Sequence, residues 1–352
     1  MVLLKKNFFN VAILLLAIFV ILEYNLWNRS LFLEGPPIFS SDYIFRSLII
    51  FTIAISFVLG TLEDFNRKPI ISKMSKICIY SAVSGIVITA LIVFILVYDV
   101  KSFSKFSLED GWVEYLSALI SFLSSVILLF TFFKIKKTDN SLVKWSVFLM
   151  SVILFILAME EISWFQRILE YNSPKLMNGN SQNEMNLHNF GTNYIENAYY
   201  FGVFLLIVVV PFVNDNKPEW FAGLFVDFLI PTRGLMLIGC VVAGYNYDMW
   251  NVFFMQFIFY TSILILTVIF IQSKFRTERI LILLTLGFIF VSQFLFLKKG
   301  EFFTRVWDVT EYRELLLPFG LFFYSVELYV RSRNIEKHKG LKLKTILWKP
   351  LK

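Results

Sequence analysis

The chain has 352 residues, of which 57% are hydrophobic and 17% charged, and its mean hydropathy is +0.69. Soluble domains are about 45–50% apolar and about 25% charged, and a soluble core of this size could not bury 41 Phe, 15 Tyr and 8 Trp. The composition excludes a soluble enzyme, a disordered chain and a nucleic-acid-binding protein. It predicts an all-α, polytopic transmembrane helix bundle. Cys78 and Cys240 lie in apolar runs, which excludes a disulfide framework and a cysteine-based metal site.

About ten apolar stretches are long enough to cross a membrane, since a spanning helix needs roughly 20 residues. In chain order they are residues 8–27, 44–62, 77–98, 111–133, 145–164, 196–213, 221–246, 250–272, 280–297 and 314–331. Pro231-Thr232-Arg233-Gly234 interrupts the seventh. A proline-kinked helix is the favoured interpretation of this interruption. A broken helix or re-entrant segment that lines a cavity is the alternative.

The basic residues predict the orientation of these spans. Of the 33 Lys and Arg residues, 22 fall at the two termini and in alternate loops, and ten fall on the opposite side. The positive-inside rule therefore places both termini in the cytoplasm. We expect residues 1–334 to form one membrane domain and residues 335–352 to form a basic cytoplasmic tail. This tail suits either an anionic lipid surface or an ordinary flank of the last span, and it needs no nucleic-acid partner.

The acidic residues collect on the other side, where the predicted topology places 17 of the 26 Asp and Glu. Charged residues near a membrane usually face the bundle interior or a wet cavity, because an unpaired charge in lipid is costly. Four clusters stand at helix ends on this side. They contain Asp110 and Glu114; Glu160, Glu161 and Arg167; Glu184, His188 and Asn189; and Glu311 and Glu314.

Spacing separates roles within the clusters. Asp110 and Glu114 share a helical face, and so do Glu160 and Arg167, whereas adjacent residues diverge by about 100°, so Glu160 and Glu161 have different roles. The third cluster lies in a loop, residues 165–195, which we expect to fold as an extracytoplasmic lid with an interfacial helix.

A divalent metal is a possible cofactor of this loop. If the segment is helical, Glu184 and His188 lie one turn apart, a spacing that suits two metal ligands or an acid–base pair. The other histidine, His338, lies in the tail, so a three-histidine zinc site is excluded. One imidazole with carboxylates could hold Zn²⁺, and a site dominated by carboxylates would suit Mg²⁺, Ca²⁺ or Mn²⁺.

Two segments carry a resemblance to a known group of proteins. They are Glu160-Glu161-Ile162-Ser163-Trp164-Phe165-Gln166-Arg167 and Gln182-Asn183-Glu184-Met185-Asn186-Leu187-His188-Asn189. Here the chain resembles uncharacterised bacterial polytopic membrane proteins with E-E-x-S-W-G-Q-R followed by Q-x-E-x-N-L-H-N. Phe165 stands where that pattern has glycine. The resemblance implies a bacterial inner-membrane protein and no particular reaction.

Three functions remain open. The leading hypothesis is a membrane enzyme, a hydrolase or transferase, that acts on a lipid or lipid-linked substrate at the extracytoplasmic face. Glu114, Glu160 and Glu161 would supply carboxylates, Glu184 and His188 would bind the metal, and Arg167 would bind an anionic group. The alternatives are a non-catalytic subunit of a larger membrane complex and an ion- or proton-coupled transporter. The clusters could also be structural, as salt bridges or as acids at helix N-termini.

Overall fold

The computed structural model describes residues 2–62, 74–108, 110–135, 141–172, 185–187, 190–216 and 227–337, with side chains in these ranges except at 2–7, 167 and 334–337. Every regular element in these ranges is a helix, which confirms the all-α prediction for this part of the chain. The predicted ligands Glu184 and His188, and also Asn189, lie outside the described residues, as does the tail from residue 338 onward.

Thirteen α-helices are described, and most of the predicted apolar stretches overlap them. They are α1 Val2–Asn25, α2 Ser41–Thr61, α3 Lys76–Tyr98, α4 Val100–Phe106, α5 Trp112–Lys134, α6 Ser141–Glu161, α7 Gln166–Leu169, α8 Thr192–Phe204, α9 Val210–Asn216, α10 Arg233–Val242, α11 Phe253–Gln272, α12 Arg276–Lys299 and α13 Asp308–Lys337. Helix α13 runs past residue 334, so the predicted domain boundary there is not a break in the structure.

Nine helical units in the described part of the chain are long and apolar enough to cross a membrane. Eight are single helices, and the ninth joins α8 to α9 through a π-helical turn, Leu205–Val209. A multi-pass membrane protein is the class that these units indicate. The count of ten crossings, the cytoplasmic placement of both termini and the bacterial inner membrane stay predictions.

In residues 227–246, the described part of the seventh predicted span, residues 230–232 are not helical and the α-helix begins only at Arg233, so the favoured prediction of a kinked continuous helix is wrong there. Helix α10 has ten residues and is about 15 Å long, half of a hydrocarbon core of about 30 Å. Residues 243–252, which follow it, are not helical. This segment reaches the end of the bundle where α6 finishes and α13 begins, since Asp248 accepts a hydrogen bond from the Thr310 hydroxyl. We call that end the acidic end.

Close packing explains why α10 stays buried along its length. Every residue of α10 except Arg233 and Gly239 is buried. A Cβ added at Gly234 would lie 2.0 Å from Cys78 Cβ, so only glycine permits this approach of α10 to α3. At its start, the Thr232 hydroxyl donates to Glu327 of α13 at 3.0 Å. Contacts with α3 and α13 therefore hold the break in place.

Small polar residues join α5 to its two neighbours, α6 and α13. The hydroxyls of Ser125 and Ser151 each donate to the other's carbonyl oxygen at 2.8 Å. Ser117 donates to the carbonyl oxygen of Glu314 at 2.9 Å. Such residues let membrane helices approach closely and hydrogen-bond across the interface. These serines therefore serve helix packing rather than a continuous polar path.

Aromatic residues mark both ends of the outer surface. Trp112 and Trp307 are at least half exposed at the acidic end, and Trp145 is exposed at the opposite end. Between the ends, large apolar side chains such as Leu91 and Ile153 face outward. Aromatic belts around an apolar band are typical of membrane bundles.

A fully buried ion pair lies near the acidic end, and a partly buried network lies at the opposite end. Near the acidic end, Arg46 of α2 forms a two-pronged pair with Glu23 of α1, and both side chains are fully buried. At the opposite end, Arg233 pairs with Asp215 at 2.8 Å and with Glu278 at 3.6 Å. The first pair fixes α1 to the bundle, and the second fixes the start of α10.

Candidate functional site

Glu160 and Glu161 end α6 and point to different partners. The Glu160 carboxylate accepts the Trp164 indole N–H at 2.7 Å and the backbone N–H of Leu187 at 2.6 Å. The side chain of Glu160 is 6% exposed. It therefore fastens the loop around residue 187 to the end of α6.

A left-handed turn follows these glutamates. Ser163, Trp164 and Phe165 have φ values of 47°, 52° and 64°, a conformation that costs roughly 1–2 kcal/mol per residue without glycine. Two contacts hold it: the Tyr171 hydroxyl donates to the Trp164 carbonyl oxygen at 2.7 Å, and the Met185 N–H donates to the Gln166 side chain at 2.7 Å. The turn thus returns the chain across the end of α6.

Carboxylates from four helices meet beside this turn. We call five residues the acidic cluster: Glu114, Glu161, Glu196, Glu311 and Glu314. Glu161 interacts electrostatically with each of the other four. All five side chains are partly buried.

Tyr200 connects the cluster to the bundle core. Its hydroxyl donates to Glu314 and lies 3.3 Å from Glu196, while its ring is 2% exposed. On the other side of the cluster, Arg305 pairs with Glu311 at 3.2 Å. Glu114 accepts the backbone N–H of Asp110 at 2.6 Å. A phenol and a guanidinium therefore contact carboxylates of the acidic cluster.

Arg313 lies behind the cluster and is almost completely buried. Its guanidinium stacks over the Tyr200 ring at 4.3 Å and donates to the Thr310 hydroxyl at 2.6 Å. Its other contacts are with two weak acceptors, the sulfur atoms of Met249 and Met255. A cavity of about 20 Å³, with room for about one water molecule, adjoins the guanidinium.

Two acids outside the spanning helices face Arg313. Burial raises the pKa of Asp248, and Arg313 and the hydrogen bond from Thr310 oppose that rise. Burial also raises the pKa of Glu34; Asp248 adds to the rise, and Arg313 opposes it. The single guanidinium thus compensates for carboxylates that come from two separate loops.

The structure brings together four residues predicted from sequence: Glu114, Glu161, Glu311 and Glu314. It places Glu160 and Asp110 elsewhere. Glu160 holds a loop, and Asp110 is exposed at the start of α5 with φ 58°. The backbone of Arg167 lies in α7, and its side chain is not among those described.

The condition that the segment from Glu184 to His188 is helical is not met by the residues between them. Residues 185–187 are described and are not helical, because their backbone is held by Gln166 and Glu160 rather than by a helical ladder. Among the described residues, no group of three His, Cys, Asp or Glu could hold a metal ion. The metal itself stays a prediction, since both ligands lie outside those residues.

Three residues of the site were not predicted from sequence: Glu196, Tyr200 and Arg313. Glu196 opens the predicted sixth span in the same way that Glu314 opens the last, so its position at a helix entrance was an available signal. Tyr200 lies one turn further along the same face. Nothing in the local pattern indicates that Arg313 faces the core.

Comparison with protein-family models, with curated proteins and with solved structures finds no match for this chain.

Proposed function

We propose that this chain is a membrane-embedded enzyme, a hydrolase or transferase, whose acidic cluster performs acid–base chemistry on a lipid or lipid-linked substrate. The observation that carries the proposal is the meeting of Glu161 with four other glutamates from three other helices. Helix packing alone does not require this arrangement, because a charge near lipid is costly.

Carboxyl groups that share one cluster can divide acid and base roles. One carboxyl donates a proton to the leaving group while another accepts a proton from water or a hydroxyl, when their surroundings differ. The surroundings differ here. Glu311 pairs with Arg305, Glu314 accepts from Tyr200, and Glu161 has four acidic neighbours. We assign Glu161 as the principal acid–base group.

The loop beside the acidic cluster favours an amphiphilic substrate. Phe165, Leu169, Leu187 and Phe190 are between 43% and 68% exposed, and all lie in the loop beside the cluster. Exposed apolar side chains near a membrane boundary suit contact with lipid chains. A substrate with a polar head and an apolar tail would place its head against the carboxylates.

The proposed function is tested by Glu161→Gln, which removes the titrating group and keeps the shape. Cells that lack the protein would receive wild type, Glu161→Gln or Glu301→Gln, and their extracted lipids would be compared by mass spectrometry. Glu301 is the matched control because it is an exposed glutamate at the same end. Membrane levels and thermal stability of each variant would be measured in parallel.

We expect wild type and Glu301→Gln to restore the same lipid composition. Cells with Glu161→Gln should keep the lipid composition of cells that lack the protein. If folded Glu161→Gln fully restored the lipid composition, the enzyme hypothesis would be overturned and a non-catalytic subunit would be favoured. Identical lipids with and without the protein would overturn it as well.

Ion- or proton-coupled transport is a second candidate, and the broken span favours it. In transporters, discontinuous helices place non-helical backbone beside the transported ion. Here α10 is followed by a non-helical segment with buried Asn246, Asp248 and Asn251. The two candidates are distinguished by measuring proton flux with purified protein in liposomes that contain a pH-sensitive dye. A proton flux that Glu161→Gln abolishes would favour transport. The absence of a proton flux would favour the enzyme.

A further inference from the structure

An open groove lies on the lateral surface of the bundle, between α2, α11 and α12. Its volume is about 480 Å³, within the range of about 300–1,000 Å³ that small-molecule sites occupy. Its walls are mainly aromatic and aliphatic. No residue of the acidic cluster lines it.

We propose that this groove binds one acyl chain of an ester-linked membrane lipid. The first argument is its position. Ile44 and Leu48 line the groove and are more than half exposed on α2, a helix apolar enough to cross a membrane. Its mouth therefore opens toward hydrocarbon rather than toward water.

The second argument is its length. Along α2 the groove extends from Tyr43 to Phe51, a rise of about 12 Å over eight residues. One leaflet has a hydrocarbon thickness of about 15 Å, half of a core of about 30 Å. The loop residues Pro37 and Phe39, which precede α2, line the groove at the acidic end. The groove thus matches a chain that enters from the leaflet on that side.

The third argument is the rigidity of the walls. Phe51 packs edge-on against Tyr260 at 5.3 Å, and Trp250 packs against Phe259 at 4.9 Å. Trp250 is also fixed by donating its indole N–H to Gln293 at 2.9 Å. A preformed wall lowers the entropy cost of binding a chain.

The fourth argument is a polar spot where a lipid ester would lie. Three hydroxyl-bearing residues, Tyr43, Ser47 and Tyr260, line the groove, and the Ser47 hydroxyl donates to Gln256 at 2.9 Å. Tyr43 and Ser47 lie one turn apart on α2. An ester carbonyl needs a donor of this kind, whereas a bare hydrocarbon chain does not.

The test compares two substitutions that add the same bulk to two lipid-facing leucines. Leu48→Trp fills the groove, and Leu91→Trp is the matched control on α3, where Leu91 is 56% exposed and does not line the groove. Full-length proteins purified in mild detergent would be analysed for retained phospholipid by native mass spectrometry. Their oligomeric states would be measured by light scattering.

We expect wild type and Leu91→Trp to retain one phospholipid per chain and Leu48→Trp to lose it several-fold. Equal retention by both variants, or no retained lipid in wild type, would overturn the proposal. A wild-type dimer that Leu48→Trp converts to monomer would assign the groove to a second copy instead.

A second measurement does not depend on the folding of Leu48→Trp. Delipidated protein would be reconstituted with phosphatidylcholine that carries bromine on one acyl chain, since bromine quenches nearby tryptophan fluorescence. Quenching in wild type should exceed that in Trp250→Phe, because Trp250 lines the groove while being only 7% exposed. Equal quenching would overturn the proposal.

Discussion

Glu23→Gln should destabilise the protein strongly, because it removes the charge that compensates a buried guanidinium. Arg46 donates through two nitrogen atoms to the two oxygens of Glu23, and both side chains are 0% exposed. The third nitrogen, Nη1, has no hydrogen-bond partner among the described residues. Arg46 also contacts the Asn251 carbonyl oxygen at 3.3 Å and the Trp27 ring at 6.0 Å. In the part of the chain that the structure describes, Arg46 forms no ion pair with a carboxylate other than Glu23.

The expected loss of stability follows from leaving the buried Arg46 guanidinium without its charged partner. Breaking a buried ion pair by removing one partner costs about 3–5 kcal/mol, since the remaining charge is left buried. At about 2 °C per kcal/mol for a chain of this size, Glu23→Gln should lower Tm by about 6–10 °C. The measurement is thermal unfolding of purified protein in detergent at one fixed scan rate, because membrane proteins rarely refold after heating.

Two controls separate charge from packing. Asp42→Asn changes an exposed acid at the start of α2 and should stay within about 0.5 kcal/mol of wild type. The double variant Glu23→Met with Arg46→Met removes both charges and should lie close to wild type, as apolar replacement of a buried pair usually does. An unchanged Tm for Glu23→Gln, or a double variant as unstable as the single one, would refute the reasoning.

Three further predictions concern the acidic end. Phe165→Gly should be more stable than Phe165→Ala by about 1 kcal/mol in the same assay, because both variants lose the ring and only glycine accepts φ 64° without strain. Equal stabilities of the two variants would argue against strain in the turn. A hydrogen bond from Ser102 is the main cause that lowers the pKa of Asp99, so the ionised carboxylate stabilises the folded protein above about pH 4 and this stabilisation is lost as pH falls through the lowered pKa. Asp99→Asn should therefore lose less stability than wild type when the pH is lowered through this range. Equal losses in the two proteins would contradict the prediction. Wild type should carry about one divalent metal per chain by elemental mass spectrometry and His188→Ala should carry less, whereas near-zero occupancy in both would end the metal hypothesis.

Span positions were predictable from sequence, and the break in the seventh span was not. Apolar length alone locates a helix such as α5, whose bounds differ by one residue from the prediction at each end. The start of α10 depends instead on distant contacts: Gly234 packs against Cys78, and Thr232 donates to Glu327. A local pattern that shows only Pro231 cannot reveal these partners.

The candidate site likewise has features that the sequence predicts and features that depend on tertiary contacts. Helical geometry predicts that Glu160 and Glu161 diverge, but not which of them faces other acids. That difference depends on the left-handed turn. The backbone N–H of Leu187 donates to Glu160 there, whereas Glu161 interacts with the other four glutamates of the acidic cluster. Arg46 had no predicted role, because Glu23 lies 23 residues away across a loop. Spacing identifies candidate faces, and tertiary contacts assign them.

Tyr200→Phe tests whether the acidic cluster and the buried Arg313 act separately. Arg313 and Glu314 are adjacent on α13, so they point about 100° apart, and Tyr200 contacts both. Phenylalanine keeps the ring over Arg313 and removes the donor to Glu314. We expect a stability loss of about 1 kcal/mol, typical of one hydrogen bond, together with a loss of lipid restoration in the complementation assay.

Tyr200→Leu removes the ring as well and should cost several kcal/mol more, because a buried aromatic is lost beneath a buried cation. Full lipid restoration by Tyr200→Phe would mean that the hydroxyl only fills space. If Tyr200→Phe were as unstable as Tyr200→Leu, the hydroxyl would hold the core together, and the division between the two faces of α13 would be wrong.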